Sequence, residues 1–129
     1  PQYREINYPV TVWIDENTDS DDLILSPQYD LHPVLLGGGM LYYGHAYYAE
    51  SAGYDMDTRY NEVYEMYWSG SPSRLKERVE ANGIDFIVVD NDARNDLYAR
   101  EDVIAATYEA VFSYEDFVIY DTSKVRITE

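Results

Sequence analysis

Two short stretches carry the side chains that could do chemistry. In "GYDMDTR", Tyr54, Asp55, Asp57 and Arg59 lie within six residues, and His45 follows Gly44 a little upstream. Carboxylates and a guanidinium beside an aromatic ring suit sugar hydroxyls or a lipid headgroup. A histidine near the start of a helix could donate to a substrate hydroxyl or act as a base. The same residues have a plainer use: Asp near a helix N-terminus is favoured by the helix dipole and can pair with Arg59.

The second stretch is "VVDNDARND". It puts Asp90 and Asp92 in D-x-D spacing, with Asp96 four residues on. Carboxylates at the C-terminal end of a strand suit hard cations, and nucleotide-sugar glycosyltransferases use this spacing to hold a divalent metal and the donor pyrophosphate. The competing reading is a solvated loop, since D-x-D recurs by chance in an acidic chain. As a calcium loop it lacks the glycine and terminal glutamate of an EF-hand. Gly37-Gly38-Gly39 is not a G-x-G-x-x-G cradle and reads as a turn. No Ser-His-Asp spacing stands out, and the absence of cysteine removes thiol nucleophiles and thiolate metal sites.

Charge narrows the partners. Twenty-five acids against nine bases give a formal charge of −16, which repels phosphate backbones and argues against nucleic acid. Asp15, Glu16, Asp19, Asp21 and Asp22 read as a solvated face. Arg74, Lys76 and Arg78 with Glu77 and Glu80 read as an ordinary charged helix face. The chain is no acidic tail, because 46% apolar and 16% aromatic residues support a core. Its 129 residues fit one domain, 1–129. No run approaches the roughly 18 apolar residues of a membrane span. The chain opens on Pro1 rather than Met, so the expectation is a piece of a longer protein whose other part carries the membrane segment.

The elements that must position these residues follow from periodicity. Val10, Trp13 and Ile14 share one face of a helix near 10–16. Leu23–Ser26 is a strand stopped by Pro27, and "MLYYG" is a second short strand. "HAYYAESAG" has helical composition and ends at Gly53. Tyr60, Val63, Tyr64 and Tyr67 form the apolar face of a helix over "DMDTRYNEVYEMYW". "SPSRLKERVEANG" has Ser71 at the N-cap, Pro72 at N1, Leu75 and Val79 on one face, and Asn82-Gly83 at its end. "IDFIVVD" reads as a strand covered on both faces. "NDARNDLYAREDVIAAT" reads as a loop with a helical turn. Two apolar runs flanking "YED" predict an antiparallel hairpin, and 122–129 an edge strand or frayed tail. The fold class is α/β: a small layered sandwich, its mixed sheet parallel in the centre with a C-terminal antiparallel hairpin.

The order "VTVWIDENTDSDDLILSP", "GGMLYYGHAYYAESAGYDMDTRYNEVYEMY", "GIDFIVVDN" and "YEAVFSYEDFVIYDTS" resembles the soluble C-terminal domain of GT-C-type polytopic membrane proteins. These are bacterial relatives of the dolichyl-phosphate-mannose mannosyltransferases. The resemblance spans about residues 10–121 and departs from the family at "DNDARND", where a basic or neutral stretch is usual. It implies a non-catalytic, extracytoplasmic accessory domain, membrane-anchored through its own transmembrane part. The catalytic carboxylates would lie in membrane-side loops outside this chain. His45 and the 54–59 segment would then face the membrane domain and touch the acceptor glycan, a lipid-linked sugar or a partner protein. Two other readings stand beside it: a free-standing carbohydrate or peptide binder built on the tyrosine-rich segment, and a small metal-dependent enzyme using Asp90 and Asp92. No cofactor is expected apart from a divalent cation at Asp90, Asp92 and Asp96 on the last reading.

Overall fold

The computed structural model describes residues 8–18, 21–27, 40–42 and 56–127. The elements in chain order are α1 (Tyr8–Asn17), β1 (Leu23–Leu25), β2 (Met40–Tyr42), α2 (Met56–Trp68), α3 (Pro72–Asn82), β3 (Phe86–Val89), α4 (Asn91–Asp96), α5 (Glu101–Thr107), β4 (Tyr108–Tyr114) and β5 (Phe117–Val125). Among the described residues the strands form one sheet in the order β2-β1-β3-β5-β4. β1 runs parallel to both β2 and β3, whereas β5 is antiparallel to β3 and β4. The chain is therefore a small α/β sandwich with a mixed sheet, parallel at its centre and closed by an antiparallel hairpin.

Alternation along each strand divides the core in two, because successive side chains leave a strand on opposite faces. Ile24, Val88, Phe117 and Ile119 point to one face, where Val10 and Ile14 of α1 cover them. Trp13 meets Phe86 edge-on, at a centroid distance of 5.7 Å, and stacks on Phe112 at 5.6 Å. Leu25, Ile87, Val89 and Tyr120 point to the other face, under α2, α3 and α5. Cover on both sides is why β3 reads as an unbroken apolar run.

Helix α3 follows its local signals. The Ser71 hydroxyl accepts from the Arg74 N–H at 3.3 Å, Pro72 opens the first turn, and Leu75 and Val79 are buried. Gly83 ends it at φ 69°, ψ 31°, a left-handed conformation that favours glycine. The chain then turns straight into β3, where Asp85 ties three strands together. Its carboxylate accepts from the Leu23 N–H, its own N–H donates to the Leu23 carbonyl, and its carbonyl accepts from the Thr122 N–H.

Two expectations need correction. Residues 91–107 form two helices, α4 and α5, not a loop with a single turn. Residues 122–125 continue β5, which lies inside the sheet between β3 and β4, so the described edge on that side is β4. The hairpin turns at Glu115-Asp116, between the paired Tyr114 and Phe117, with Glu115 at φ 55°.

Candidate functional site

The D-x-D stretch lies where such residues could reach a ligand, at the C-terminal end of β3. Asp90 is nearly fully buried and serves as the N-cap of α4, its carboxylate accepting from the Ala93 N–H at 2.9 Å. Asp92 occupies the first turn of α4, where the helix dipole favours an acid. Asp96 closes the helix, and its side chain lies outside the described residues. Among the described residues no group of three or more His, Asp or Glu is placed to hold a metal ion.

Beside this cap sits the most heavily bonded guanidinium described. Arg94 binds Glu101 through two parallel bonds of 2.9 Å, from Nε and Nη2. Its Nη1 donates to the Asp116 carbonyl and to Asn91 Oδ1, each at 2.9 Å. The Glu101 hydrogen bond raises the Arg94 pKa above its usual value. Arg94 thus clamps α4, α5 and the β4–β5 turn together. The polar groups around Asp90 hold the scaffold in shape.

This arrangement gives a direct test of the two uses of Asp90. As a cap, Asp90→Ala costs about 1 kcal/mol and Asp90→Asn almost nothing, since asparagine caps as well. Urea denaturation with and without millimolar magnesium, manganese or calcium separates cap from ligand. A metal-dependent gain in stability that Asp90→Asn abolishes would contradict the cap assignment.

The other sequence-chosen residues are placed less fully. Asp57 and Arg59 fall in the first turn of α2, with their side chains outside the described residues. His45, Tyr54 and Asp55 lie wholly outside them. Of the sequence-chosen side chains, the structure therefore brings together Asp90 and Asp92 at the start of α4.

A further cleft opens at the α2–α3 junction, lined by Glu65, Trp68, Gly70, Ser71, Arg74 and Arg100, with a volume of about 650 Å³. Charge patterning assigns Arg74 to an ordinary helix face and gives no role to Trp68 or Arg100. The available signal is "YWSGSPSR", an aromatic pair at a helix end followed by glycine and an N-cap.

Burial also sets a limit at high pH. Tyr108 is 1% exposed, and burial, with the nearby Glu80 charge adding, pushes its phenol up to about 12 from 10.0. Burial raises Tyr120 as well. A pKa higher in the folded than in the unfolded chain means that this stabilisation is complete below about pH 10 and lost as pH rises towards 12. Tyr108→Phe should flatten the fall in stability over that window in urea titrations. An unchanged pH slope would remove Tyr108 as its cause.

No protein-family model matches the chain, and no curated protein matches it.

Proposed function

We propose that the chain is a non-catalytic accessory domain of a membrane glycosyltransferase-like protein, standing on the extracytoplasmic side and helping to position the acceptor glycan. The supporting observation is α1. The segment "VTVWIDEN", which in the resembling proteins continues the last membrane helix, is helical here. Val10 and Ile14 bury it against the sheet, and Trp13 stacks on Phe112. On this reading the chain enters the domain through a helix that is itself packed on the sheet. The acids and bases around the D-x-D stretch fit the same reading, because Asp90, Arg94 and Glu101 are engaged in caps and ion pairs.

The test is to express the complete gene product and follow it by membrane fractionation, protease protection and sugar transfer from a lipid-phosphate donor. The expected result is membrane association with this domain protease-accessible from the extracytoplasmic side. Deleting the domain should lower transfer while leaving the membrane part inserted. Turnover of a nucleotide-sugar by the 129-residue chain alone, or a complete gene product that stays out of the membrane, would overturn the proposal.

A further inference from the structure

We propose that the cleft between α2 and α3 is a binding site for a neutral saccharide, with Trp68 as its stacking platform. Trp68 is 50% exposed, unusual for the largest apolar side chain in a small domain. Its ring is held in place by Tyr64 one turn earlier on α2, at a centroid distance of 5.7 Å and an interplanar angle of 4°. A flat, supported indole open to solvent is a surface on which the apolar face of a sugar ring can lie at little entropic cost.

The rim has the mixed chemistry that hydroxyl groups need, since each is both donor and acceptor. Among the described residues, the Arg74 guanidinium has no ion-pair or hydrogen-bond partner. It is a free donor in a protein whose Arg78, Arg94 and Arg100 are all paired with acids. The Glu65 carboxylate, on the same cleft, is an acceptor, held only loosely by Arg78 Nε at 3.8 Å. Arg100 pairs with Asp102 through Nε and Nη2, which leaves Nη1 for a ligand. Gly70 lines the cleft, and a Cβ built there meets nothing within 4 Å, so a side chain can be added at this position without a clash. The volume, about 650 Å³, lies within the range of small-ligand sites, roughly 300–1,000 Å³.

Charge selects the neutral ligand over an acidic one. Glu65 lines the cleft, Asp102 already satisfies much of Arg100, and the whole chain carries −16. With Arg74 beside Glu65, the lining is close to neutral, and the −16 of the whole chain disfavours an anionic sugar or a phosphate. Among the described residues, those that line this cleft come from the end of α2, the start of α3, the turn between them and Arg100. The inference stands whether or not the domain is attached to a transferase.

The test is a titration of the folded chain with mannotriose, cellotriose and chitotriose, with tri-galacturonate as the acidic counterpart. It is followed through the two tryptophan indole N–H signals in nitrogen–proton NMR spectra. The expected result is that at least one neutral trisaccharide shifts the Trp68 signal and not that of Trp13, with a Kd in the range of about 0.1–10 mM. Trp68→Ala should weaken binding about tenfold or more, and Arg74→Ala several-fold. Gly70→Leu, which fills the cleft without removing a described contact, should abolish binding while leaving the rest of the spectrum in place. The proposal is overturned if no neutral trisaccharide moves Trp68 at about 10 mM, or if tri-galacturonate binds more tightly. It is also overturned if binding survives both Trp68→Ala and Gly70→Leu, which would move the site elsewhere, such as to residues 45–59. None of these results depends on membrane attachment, so this inference and the accessory-domain proposal can fail separately.

Discussion

Replacing Tyr67 with alanine should cost about 3–5 kcal/mol of folding stability, among the largest losses available to a single substitution in this chain. Tyr67 is fully buried on α2 within the larger core cluster, beside Leu25, Ile87 and Val89 of the sheet. Its hydroxyl lies 2.6 Å from the Val88 carbonyl and 3.3 Å from that of Leu25. The parallel pairing of β1 with β3 extends only to Leu25 and Ile87, and the phenol bridges the two strands near the end of that ladder. Alanine removes the ring and the bridge together. Phenylalanine keeps the ring and removes only the hydroxyl's bonds to these carbonyls, so Tyr67→Phe should cost about 1–3 kcal/mol. Urea denaturation of both variants, followed by circular dichroism, separates the two parts. A Tyr67→Ala loss below about 1 kcal/mol would mean that the cluster closes over the gap, contrary to close packing in the core.

Leu75→Ala should follow closely, at about 2–5 kcal/mol. Leu75 is fully buried on α3 and belongs to the same cluster as Val79, Val63 and Met66. One methyl group in place of an isobutyl leaves a cavity beneath a helix of 11 residues that has little freedom to shift. The cap at Ser71 fixes its start and Gly83 fixes its end. Arg74→Ala, at the neighbouring exposed position, should change stability by less than about 0.5 kcal/mol. This contrast tests the register of the helix as well as the size of the core. Similar losses at both positions would show that the buried face of α3 is not the one described.

The same contrast shows why α3 is legible in the sequence. Its N-cap, its proline, the spacing of Leu75 and Val79 and its terminal glycine are all local signals, each acting within a turn of its own backbone. β3 is legible for a different reason: four consecutive apolar residues, Phe86–Val89, are tolerated only where both faces of a strand are covered. α1 shows its buried face through Val10 and Ile14.

Helices α4 and α5 are not legible, because what holds them is not local. "NDARND" has the composition of a loop and becomes helical beside a buried cap, with Arg94 reaching Glu101 and the Asp116 carbonyl. The last of these partners lies 22 residues away. The hairpin that contains β5 is written in its own two apolar runs. Its inner position depends on pairing with β3, and "FVIYDTSKV" does not encode that by itself.

The candidate sites divide along the same line. Charge, the absence of cysteine and the alternation of the main strands and helices are legible in the sequence alone, and they disfavour polyanionic partners and point to an α/β architecture. Whether an acid caps, pairs or waits for a ligand is decided only by the tertiary structure. Asp90 has the spacing of half a metal motif, and in the structure its carboxylate also accepts the Ala93 N–H at the start of α4. Trp68 is one more aromatic at a helix end in the sequence, yet its ring stands open to solvent on the same cleft as Arg74. The physical reason is that composition and periodicity report what a residue can do within its own few turns of chain. Exposure and partnership are properties of surfaces that meet only after the sheet and helices have packed.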